Sequence, residues 1–466
     1  MTPTVAVSIL GNAVVVPVDG TRRVIDSGHV VVGDGAILSV GAGPWPGESP
    51  PQAERIDLDG AILIPGLIDL HLHAGHGLTK NLGGPVDNWM ATVGDVYALH
   101  SDVEFWAADA ALQALERLKG GTTLAVPFFG GGDNVMRSED PIYAAAHLAE
   151  IEASGLREVL VMGVDRPPFP KTRRDWRRGS GSERAISLAD QIATIEQVCA
   201  SWRGAADGRI DIAVSAPVVG EPAFREADGD SRIATQDMLA AVWDLVRRSQ
   251  SRLIQDGHRE GSVAFMADAF GLFDERSVLA HCIDLTEADI ATFVGRGAAA
   301  VYTPSSLMAV FGYCPAPRLV AAGLRVGLGT DGPAPDRSLD MFRTMFMAHR
   351  HQAIRWRDPS AIDAWTVLEM ATRGGAAALG LADSLGSIEP GKRADLVAVS
   401  RRAAHLYPPD LPVERLVFFA HAGDVSHVMV DGRLLLRGHV PVNMDAEAVL
   451  DRAARAYSMM KQRAEI

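Results

Sequence analysis

The chain has 466 residues, a formal net charge of −14 and 47% hydrophobic residues. This length exceeds one ordinary domain, and the composition is typical of a folded globular protein rather than a disordered or membrane-embedded one. Because no basic surface is indicated, we expect neither nucleic acid nor a membrane as a partner. The three cysteines lie far apart, which favours a reducing cytoplasm, and we expect the amino-terminal residues to be strands rather than a signal peptide.

Both ends of the chain are rich in short strand-like runs. Residues 13–64 contain AVVVPV, HVVVG, AILSVGAG, ERIDL and AILIPG, separated by Gly, Asp and Pro. Towards the other end, ADLVAVS and SHVMVDGRLLLRG repeat the pattern, with Asp431-Gly432 as a hairpin signal. We therefore predict one small discontinuous β-sandwich domain formed by residues 1–64 and 391–466, the second part ending in a helix.

Residues 65–390 alternate between strand-like and helix-like segments. Eight strand candidates follow one another: LIDLHLH, TTLAVPFF, VLVMGVD, IDIAVSAPV, SRLIQDG, SVLAHC, AAAVYTP and RVGLGTD. Apolar strands alternating with amphipathic helices predict a parallel sheet, and eight of them favour a closed (β/α)8 TIM barrel, so the fold class is α/β. An open doubly wound sheet would need a glycine-rich phosphate turn after a strand, and GGGDN at residues 130–134 lacks that spacing.

Ionisable side chains follow several of the predicted barrel strands. His71 and His73 end the first strand, and their spacing of two places both on the same side of it. His281 ends the sixth strand and Asp331 ends the eighth, at the barrel face that carries active sites. Imidazoles with a carboxylate are ligands for zinc or a similar divalent ion. The alternative is that the histidines are hydrogen-bonded core residues and that Asp331 caps a helix.

Four motifs carry a resemblance to a known family: PGLIDLHLH, LAHC, GLGTDG, and ATRGGAAALGL with GSIEPGKRADLVAV. Together they resemble the amidohydrolase superfamily, in the branch that holds cytosine deaminase, guanine and S-adenosylhomocysteine deaminases and the s-triazine chlorohydrolases. The resemblance covers essentially the whole chain and implies a metal-dependent hydrolase of carbon–nitrogen bonds other than peptide bonds. It implies one divalent metal ion per subunit. Zinc is the favoured metal, and manganese, iron and cobalt are the alternatives. The lysine that bridges two metals in binuclear members has no counterpart, since IDIAVSAPV contains no lysine.

The fifth strand departs from the pattern of the superfamily. Close relatives show His-x-x-Glu there, whereas this chain has LIQDGHREG, with Gln255 in the place of the metal-binding histidine and His258 in the place of the glutamate. Either His258 reaches the metal from the loop after the strand, or Gln255 is a weak ligand and His258 a base outside the ligand set. We favour the first because imidazole is a much better ligand than an amide. The predicted ligands are therefore His71, His73, His258 and Asp331.

We assign the catalytic roles to Asp331 and His281. Asp331 would take a proton from a metal-activated water and pass it to the departing amine, while His281 would hydrogen-bond the atom that gains charge. Since the glutamate that serves a ring nitrogen in deaminases is missing, we expect hydrolysis of a small neutral amide, urea or carbamate. The alternatives are a deaminase or chlorohydrolase acting on a purine, pyrimidine or s-triazine, and a non-catalytic barrel scaffold.

The segments expected at the barrel mouth are mostly apolar, which is typical of pockets for small uncharged molecules. Contacts with a small-molecule substrate are predicted for Trp89, Phe128, Tyr302 and Met308, while His76 either touches substrate or lies on the loop surface. We also expect the enzyme to be a cytoplasmic homo-oligomer, a dimer or larger.

Overall fold

The structure of the chain is a computed structural model, and it describes residues 7–47, 53–80, 82, 86–131, 135–177, 179, 181–306 and 312–466. The chain divides into two compact units. Unit 1 consists of Met1–Asp69, Glu116–Leu124 and Asp340–Met444, and unit 2 of Leu70–Leu115, Ala125–Leu339 and Asp445–Ile466. Among the described residues, no helix combines the length and the apolar character needed to cross a bilayer.

The described residues form strands and helices throughout both units. The strands are β1 (Val7–Val15), β2 (Ile25–Gly33), β3 (Ala36–Ala42), β4 (Glu54–Asp57), β5 (Ile62–Pro65), β6 (Leu67–His73), β7 (Thr122–Phe128), β8 (Arg157–Gly163), β9 (Lys171–Asp175), β10 (Ser182–Ile186), β11 (Ile210–Ser215), β12 (Ile254–Gln255), β13 (Val278–Ala280), β14 (Ala299–Tyr302), β15 (Val326–Leu328), β16 (Leu396–Val399), β17 (Val425–Val430), β18 (Arg433–Arg437) and β19 (Val440–Pro441). The helices are Val86–Asp95, Val103–Lys119, Pro141–Ser154, Leu188–Trp202, Glu221–Glu226, Gly229–Ser249, Ser262–Phe270, Glu287–Arg296, Ala316–Ala321, Met341–Trp356, Ala364–Glu369, Pro412–Phe418 and Ala446–Ala464. Shorter helical turns are Val96–His100, Ala205–Gly208, Met370–Gly374, Gly375–Ala378, Ala404–Leu406 and Ala422–Asp424.

Unit 1 contains a nine-stranded sheet built from both ends of the chain. The strand order is β19-β18-β17-β16-β5-β1-β2-β3, and β4 pairs with β1. The antiparallel pairing of β16 with β5 joins the two chain ends, and buried apolar side chains such as Leu10, Leu63 and Met429 form its core. The predicted hairpin turn is present between β17 and β18, where Asp431 and Gly432 both have positive φ, as a two-residue type I′ turn requires. The expected strand-rich domain from both chain ends is confirmed.

The eight barrel strands match the eight predicted segments in order, and unit 2 contains six of them in full together with the carboxyl-terminal parts of β6 and β7. The strands β6, β7, β8 and β11 form one row, and β12, β13, β14 and β15 form the other. A parallel bridge between Val214 and Leu253 joins the rows on one side. On the other side, the backbone N–H of Asp331 donates to the carbonyl oxygen of His71 at 2.8 Å. The two rows thus close on each other, and the predicted TIM-barrel fold is confirmed.

Helix boundaries around the barrel follow from local capping. Ser187 and Thr286 each begin a helix with a capping box, in which the hydroxyl accepts the N–H three residues on and an aspartate there accepts in return. Glycines in the left-handed conformation, Gly155 and Gly297, end two of the helices. These capping interactions determine where the helices begin and end. Strands and helices can then alternate so that the carboxyl ends of the barrel strands lie at one face.

The C-terminal helix Ala446–Ala464 lies within unit 2. Its Arg452 pairs with Glu104 at 2.7 Å and with Glu150 at 2.7 Å, and its Arg463 pairs with Asp102 at 2.5 Å. The predicted domain boundaries placed this helix with residues 391–466, whereas its ion pairs are made to helices around the barrel. The helix therefore contributes to the barrel unit rather than to the sheet of unit 1.

Candidate metal centre

Five ionisable side chains converge at the carboxyl ends of four barrel strands. His71 and His73 lie on β6, Asp256 and His281 directly follow β12 and β13, and Asp331 comes three residues after β15. Their ligand atoms form two groups that share His71: one with His73 and Asp331, the other with Asp256 and His281. Within each group all ligand atoms lie within 4.8 Å of one another. The predicted convergence of His71, His73, His281 and Asp331 is thus present, with Asp256 added.

The two carboxylates face the imidazole nitrogens at short distances. The Nε2 atom of His71 lies 3.1 Å from Asp331 Oδ1 and 3.3 Å from Asp256 Oδ1. His73 Nε2 lies 3.2 Å from Asp331 Oδ1 and 3.5 Å from Asp256 Oδ2. His281 Nε2 lies 2.7 Å from Asp256 Oδ1 and 3.8 Å from Asp331 Oδ1. The five side chains therefore surround one common point.

This donor set fits a divalent cation. Zinc bonds to nitrogen and oxygen are about 2.0–2.2 Å long, so two ligand atoms on one ion stand roughly 3.3 Å apart. The imidazole–carboxylate distances, from 2.7 to 3.8 Å, bracket that separation. The side chains of Asp256 and Asp331 are only 17% and 9% exposed, and two carboxylates with so little water are costly unless a cation compensates them. Imidazole nitrogens and carboxylate oxygens are also the ligand types that zinc takes in enzymes.

Hydrogen bonds at the far side of each ring orient the ligands. The carbonyl oxygen of Gly130 contacts Nδ1 of His73 at 3.1 Å, and the hydroxyl of Thr303 contacts Nδ1 of His281 at 2.9 Å. In both rings Nε2 is therefore the nitrogen that faces the carboxylates. Such partners fix the tautomer and orientation of metal-binding histidines. Directly after the eighth strand, β15, a Cβ at Gly329 would lie 2.8 Å from Cβ of His71, so glycine is required where the chain passes His71.

Asp331 and His281 are held by unusual backbone conformations. Both have positive φ, 62° at Asp331 and 70° at His281, a region that costs free energy for residues other than glycine. The second oxygen of Asp331 is 3.2 Å from a guanidinium nitrogen of Arg337. Arg337 is itself fixed by donating to the carbonyl oxygens of Asp331, Gly332 and Ala334. Asp331 thus presents Oδ1 to the histidines while Oδ2 is paired with Arg337.

The pKa values reflect this concentration of charge. Burial alone would lower the pKa of His71, but the Asp256 and Asp331 carboxylates raise it to about 10. Burial acts to raise the pKa of Asp256, yet the His71 and His281 rings hold it well below its usual range. Burial acts in the same direction on Asp331, whose pKa is held well below its usual range by Arg337 and His281. Both carboxylates are therefore ionised at neutral pH and attract positive charge to this point.

The structure does not bring His258 or Gln255 into the group of converging ligands. His258 directs Nε2 to Gln255 Oε1 at 3.2 Å and Nδ1 to the Ser262 hydroxyl at 3.1 Å. The amide nitrogen of Gln255 donates to the carbonyl oxygen of Ala216 at 2.7 Å. Burial lowers the pKa of His258 to about 3, so the ring is neutral. The fifth strand instead contributes Asp256, one residue beyond Gln255.

Three of the four predicted substrate residues are buried in the structure. The Phe128 ring stands edge-on to His71 at 5.0 Å, and Tyr302 is fully buried. The Trp89 indole donates to the carbonyl oxygen of Thr79 at 2.8 Å. Met308, the fourth predicted contact, lies outside the described residues. His76, in the loop after β6, is buried and stacks on His73 with 4.6 Å between ring centroids.

Sequence reasoning missed Asp256 and Arg337, for which different signals were available. The segment LIQDG ends an apolar strand with a carboxylate, the same pattern that identified Asp331 in GLGTDG. The His-x-x-Glu spacing of the relatives instead suggested the neighbouring Gln255 and His258 as the fifth-strand ligands. For Arg337 no comparable signal exists, since it lies six residues beyond Asp331 in an irregular segment.

Comparisons with known proteins identify the family of this chain. The family model described as Amidohydrolase family matches residues 62–221 and 246–435. The chain is 32% identical over 459 residues to a 5-methylthioadenosine/S-adenosylhomocysteine deaminase of Desulforudis audaxviator, covering 96% of this chain and 97% of that protein. Among solved structures, a zinc-bound adenosine deaminase from Xanthomonas campestris superposes with a TM-score of 0.81 at 25% identity, covering 98% of each chain. An atrazine chlorohydrolase of Arthrobacter aurescens complexed with zinc shares the fold, with a TM-score of 0.80 at 20% identity over 97% of this chain and 100% of that one.

The matched family model spans most of the chain, including the segments that carry His71, His73, Asp256, His281 and Asp331. The expected superfamily assignment is therefore confirmed, together with the enzyme class that it implied. The chain belongs to the amidohydrolase family, as a metal-dependent hydrolase of carbon–nitrogen bonds other than peptide bonds.

Proposed function

We propose that the enzyme hydrolyses a non-peptide carbon–nitrogen bond in a small neutral amide, urea or carbamate. It uses one divalent metal ion per subunit, for which zinc is the favoured candidate. His71, His73, Asp256 and Asp331 hold this ion. The observation that carries this proposal is the approach of the buried carboxylate of Asp331 and the half-buried carboxylate of Asp256 to three imidazole nitrogens at one point. Asp256 takes the place that the sequence assigned to His258.

A divalent ion at this point supplies an activated water for nucleophilic attack and polarises the group under attack. Asp331 is the proton carrier of the reaction. Its Oδ1 faces the ligand histidines, and Arg337 holds Oδ2 at 3.2 Å, so the carboxylate cannot turn away. It accepts a proton from the attacking water and returns it to the nitrogen that leaves as an amine.

His281 stabilises the charge that develops on the substrate. The contact between Nδ1 and the Thr303 hydroxyl leaves Nε2 as the nitrogen that faces the site. In the structure this nitrogen donates to Asp256 Oδ1 at 2.7 Å. A substrate oxygen that gains negative charge is an equivalent acceptor, so His281 acts in the manner of an oxyanion-hole donor.

The fifth strand favours an amide-type substrate over an aminated ring. Deaminating a heterocycle requires a proton carrier directed at a ring nitrogen, in addition to the group that serves the attacking water. Here both nitrogens of His258 are engaged inside the fold by Gln255 and Ser262. Asp256, the other ionisable residue next to β12, belongs to the ligand set, which leaves no separate carrier on this strand among the described residues.

A second candidate function is deamination or dechlorination of a nitrogen heterocycle. It is supported by the names of the relatives, a 5-methylthioadenosine/S-adenosylhomocysteine deaminase and an adenosine deaminase, both matched over nearly the full chain. The chlorohydrolase of atrazine shares the fold and supports the same substrate class.

Product analysis separates the two functions. Zinc-loaded enzyme should be incubated with panels of ureas, carbamates, anilides and aminoheterocycles, with Asp331→Asn as the inactive control. The proposal expects an amine together with an acid or carbon dioxide. Release of ammonia or chloride with the ring intact, and no turnover of the open-chain substrates, would establish the second function instead. Activity of Asp331→Asn near that of the wild type would refute the role of Asp331.

Three further features of the enzyme are also proposals. The substrate pocket is proposed to be shaped by Trp89, Phe128, Tyr302 and Met308. The first three of these are proposed to act by supporting neighbouring side-chain rings and backbone. The subunits are proposed to form a homo-oligomer, and the enzyme is proposed to act in the cytoplasm, where its three buried cysteines remain reduced.

A further inference from the structure

A second group of metal-ligand side chains lies in unit 1, in the connection between β16 and β17. It consists of His405, His421 and Asp424, whose ligand atoms lie within 4.8 Å of one another. His405 belongs to the helical turn Ala404–Leu406, and Asp424 ends the turn Ala422–Asp424. None of the three belongs to the candidate metal centre.

The carboxylate of Asp424 is the fixed part of this group. Its side chain is 7% exposed, and Oδ2 accepts the backbone N–H of His421 at 2.9 Å. The same oxygen lies 2.9 Å from Nε2 of His405 and 3.7 Å from Nδ1 of His421. These two distances bracket the separation of roughly 3.3 Å expected between ligands of one zinc ion.

The two imidazoles are free to adjust to a ligand. The side chains of His405 and His421 are 39% and 56% exposed. Their rings lie face to face, with centroids 4.8 Å apart and planes inclined by 19°. A Cβ at position 423 would lie 3.0 Å from His421 Nδ1, so Gly423 leaves the space that this ring occupies. Small rotations of exposed rings would bring both nitrogens to bonding distance of a cation beside Asp424.

We propose that His405, His421 and Asp424 bind a divalent cation of the zinc type, with water completing the coordination. His405 contributes Nε2 and His421 contributes Nδ1, which exchanges its hydrogen bond from the Gly423 N–H for the cation. Two imidazoles and a carboxylate with an open position are a donor set suited to zinc. By binding both His405 and His421, the cation closes the chain between them into a loop. This loop closure stabilises the connection of β16 to β17.

The test is the zinc stoichiometry of the full chain, measured by equilibrium dialysis followed by elemental analysis. The wild type is expected to bind one more zinc ion per chain than the double variant His405→Ala/His421→Ala. The matched control is His439→Asn, which removes an exposed histidine of the same unit at a residue with positive φ, where asparagine is tolerated. This control should keep the wild-type stoichiometry.

The single variants His405→Gln and His421→Gln test the site even if the double variant misfolds, because each replaces only one exposed ring. Each is expected to weaken zinc binding at this site by at least about 10-fold, while the other bound equivalent is retained. Equal zinc stoichiometry in the wild type and the double variant, or single variants with unchanged zinc affinity, would overturn the proposal. Neither outcome depends on which substrate the enzyme hydrolyses.

Discussion

Asp256 adds a second carboxylate to the candidate metal centre and so changes the charge of the proposed ligand set. With Asp331, it supplies two negative charges that balance a divalent ion, whereas a neutral histidine or glutamine at this point would leave one positive charge uncompensated. It also lies close to all three histidines, with 3.3 Å to His71, 3.5 Å to His73 and 2.7 Å to His281. The residue therefore combines ligand chemistry with orientation of the neighbouring rings.

We predict that Asp256→Asn lowers metal affinity by about 100-fold or more, because it removes both a charge and an anionic ligand. Metal content after dialysis, measured by elemental analysis, checks this. Asp268→Asn is the matched control, since Asp268 is an exposed aspartate on the next helix, Ser262–Phe270. Full metal content in Asp256→Asn would show that Asp256 is not a ligand.

We propose that Arg337 positions the Asp331 carboxylate without binding the metal itself. It contacts Oδ2 of Asp331, and its other hydrogen bonds go to backbone carbonyls of the same segment. In Arg337→Met the carboxylate gains freedom to rotate and loses a positive neighbour. We expect kcat to fall by about 10- to 100-fold, with a smaller change in KM and near-normal metal content.

The variant Arg337→Lys should recover part of the lost kcat, because it restores the positive charge without the planar fork. Arg343→Met, at an exposed arginine, should leave kcat unchanged. A wild-type kcat in Arg337→Met, or a loss explained entirely by lost metal, would contradict a positioning role.

Four of the five converging residues follow from the rule that barrel enzymes place ionisable groups at the carboxyl ends of strands. His71, His73, His281 and Asp331 all end recognisable apolar runs. Asp256 also ends an apolar run, but it was missed because the His-x-x-Glu spacing of the superfamily placed the fifth-strand ligand at Gln255 or His258. An offset of one residue in a strand moves a side chain to the other face, which separates Asp256 from Gln255.

Among the structural elements, the loop after β6 is held more firmly than its sequence suggests. Asp109, from the helix Val103–Lys119, accepts the N–H groups of Gly75 at 2.5 Å and Leu78 at 3.1 Å. Gly75 has a φ of 90°, and a Cβ there would lie 2.6 Å from the Tyr97 hydroxyl. This loop carries His76 onto the ring of His73. The loop therefore supports the ring of His73, a proposed metal ligand, and is not a free surface.

The helix Met341–Trp356 contains a buried histidine that links stability to pH. The ring of His349 packs edge-on against Phe418 at 4.7 Å, and its Nδ1 has no hydrogen-bond partner among the described residues. Burial, with the nearby Arg350, lowers the pKa of His349 below its ordinary value. The unfolded chain, with a histidine pKa of about 6.5, therefore takes up this proton first as the pH falls.

We predict that His349 contributes an acid-sensitive part of the stability. Well above about pH 6.5 the ring is neutral in both states, and as the pH falls through that value the folded state loses stability relative to the unfolded state, which takes up the proton first. In His349→Phe this loss should be smaller, as measured by urea midpoints at pH 8 and pH 5. His439→Asn, at an exposed site, should follow the wild type. An identical pH dependence in His349→Phe would rule out this contribution.

The order of the barrel strands could be predicted from the sequence, whereas one hairpin and the domain assignment of the C-terminal helix could not. All eight barrel strands were identified, because apolar runs between amphipathic helices give a strong periodic signal. The hairpin of β9 and β10 was not identified, since its residues are largely charged and only partly buried. The C-terminal helix was grouped with the chain-end strands by sequence proximity, although its arginines pair with Glu104, Glu150 and Asp102 of unit 2.

At the scale of the whole molecule, metal binding and folding stability are linked. The candidate metal centre draws its donors from β6, β12, β13 and β15, which are far apart in sequence, so a bound cation ties together strands from both rows of the barrel. A ligand that binds only the folded state stabilises it by mass action, by about 2.7 kcal/mol at one hundred times its Kd. Removing the metal should therefore lower the stability of the barrel unit.

We predict that dialysis against a chelator lowers the Tm by several degrees and that added zinc restores it. Scanning calorimetry on the wild type, Asp331→Asn and His405→Ala/His421→Ala separates the two proposed sites. Asp331→Asn should lose most of the zinc-dependent shift that arises from the barrel, whereas the double variant should keep it. If chelation leaves the Tm of the wild type unchanged and the metal content shows that the ion was removed, the five converging side chains do not need a cation to hold the barrel strands together.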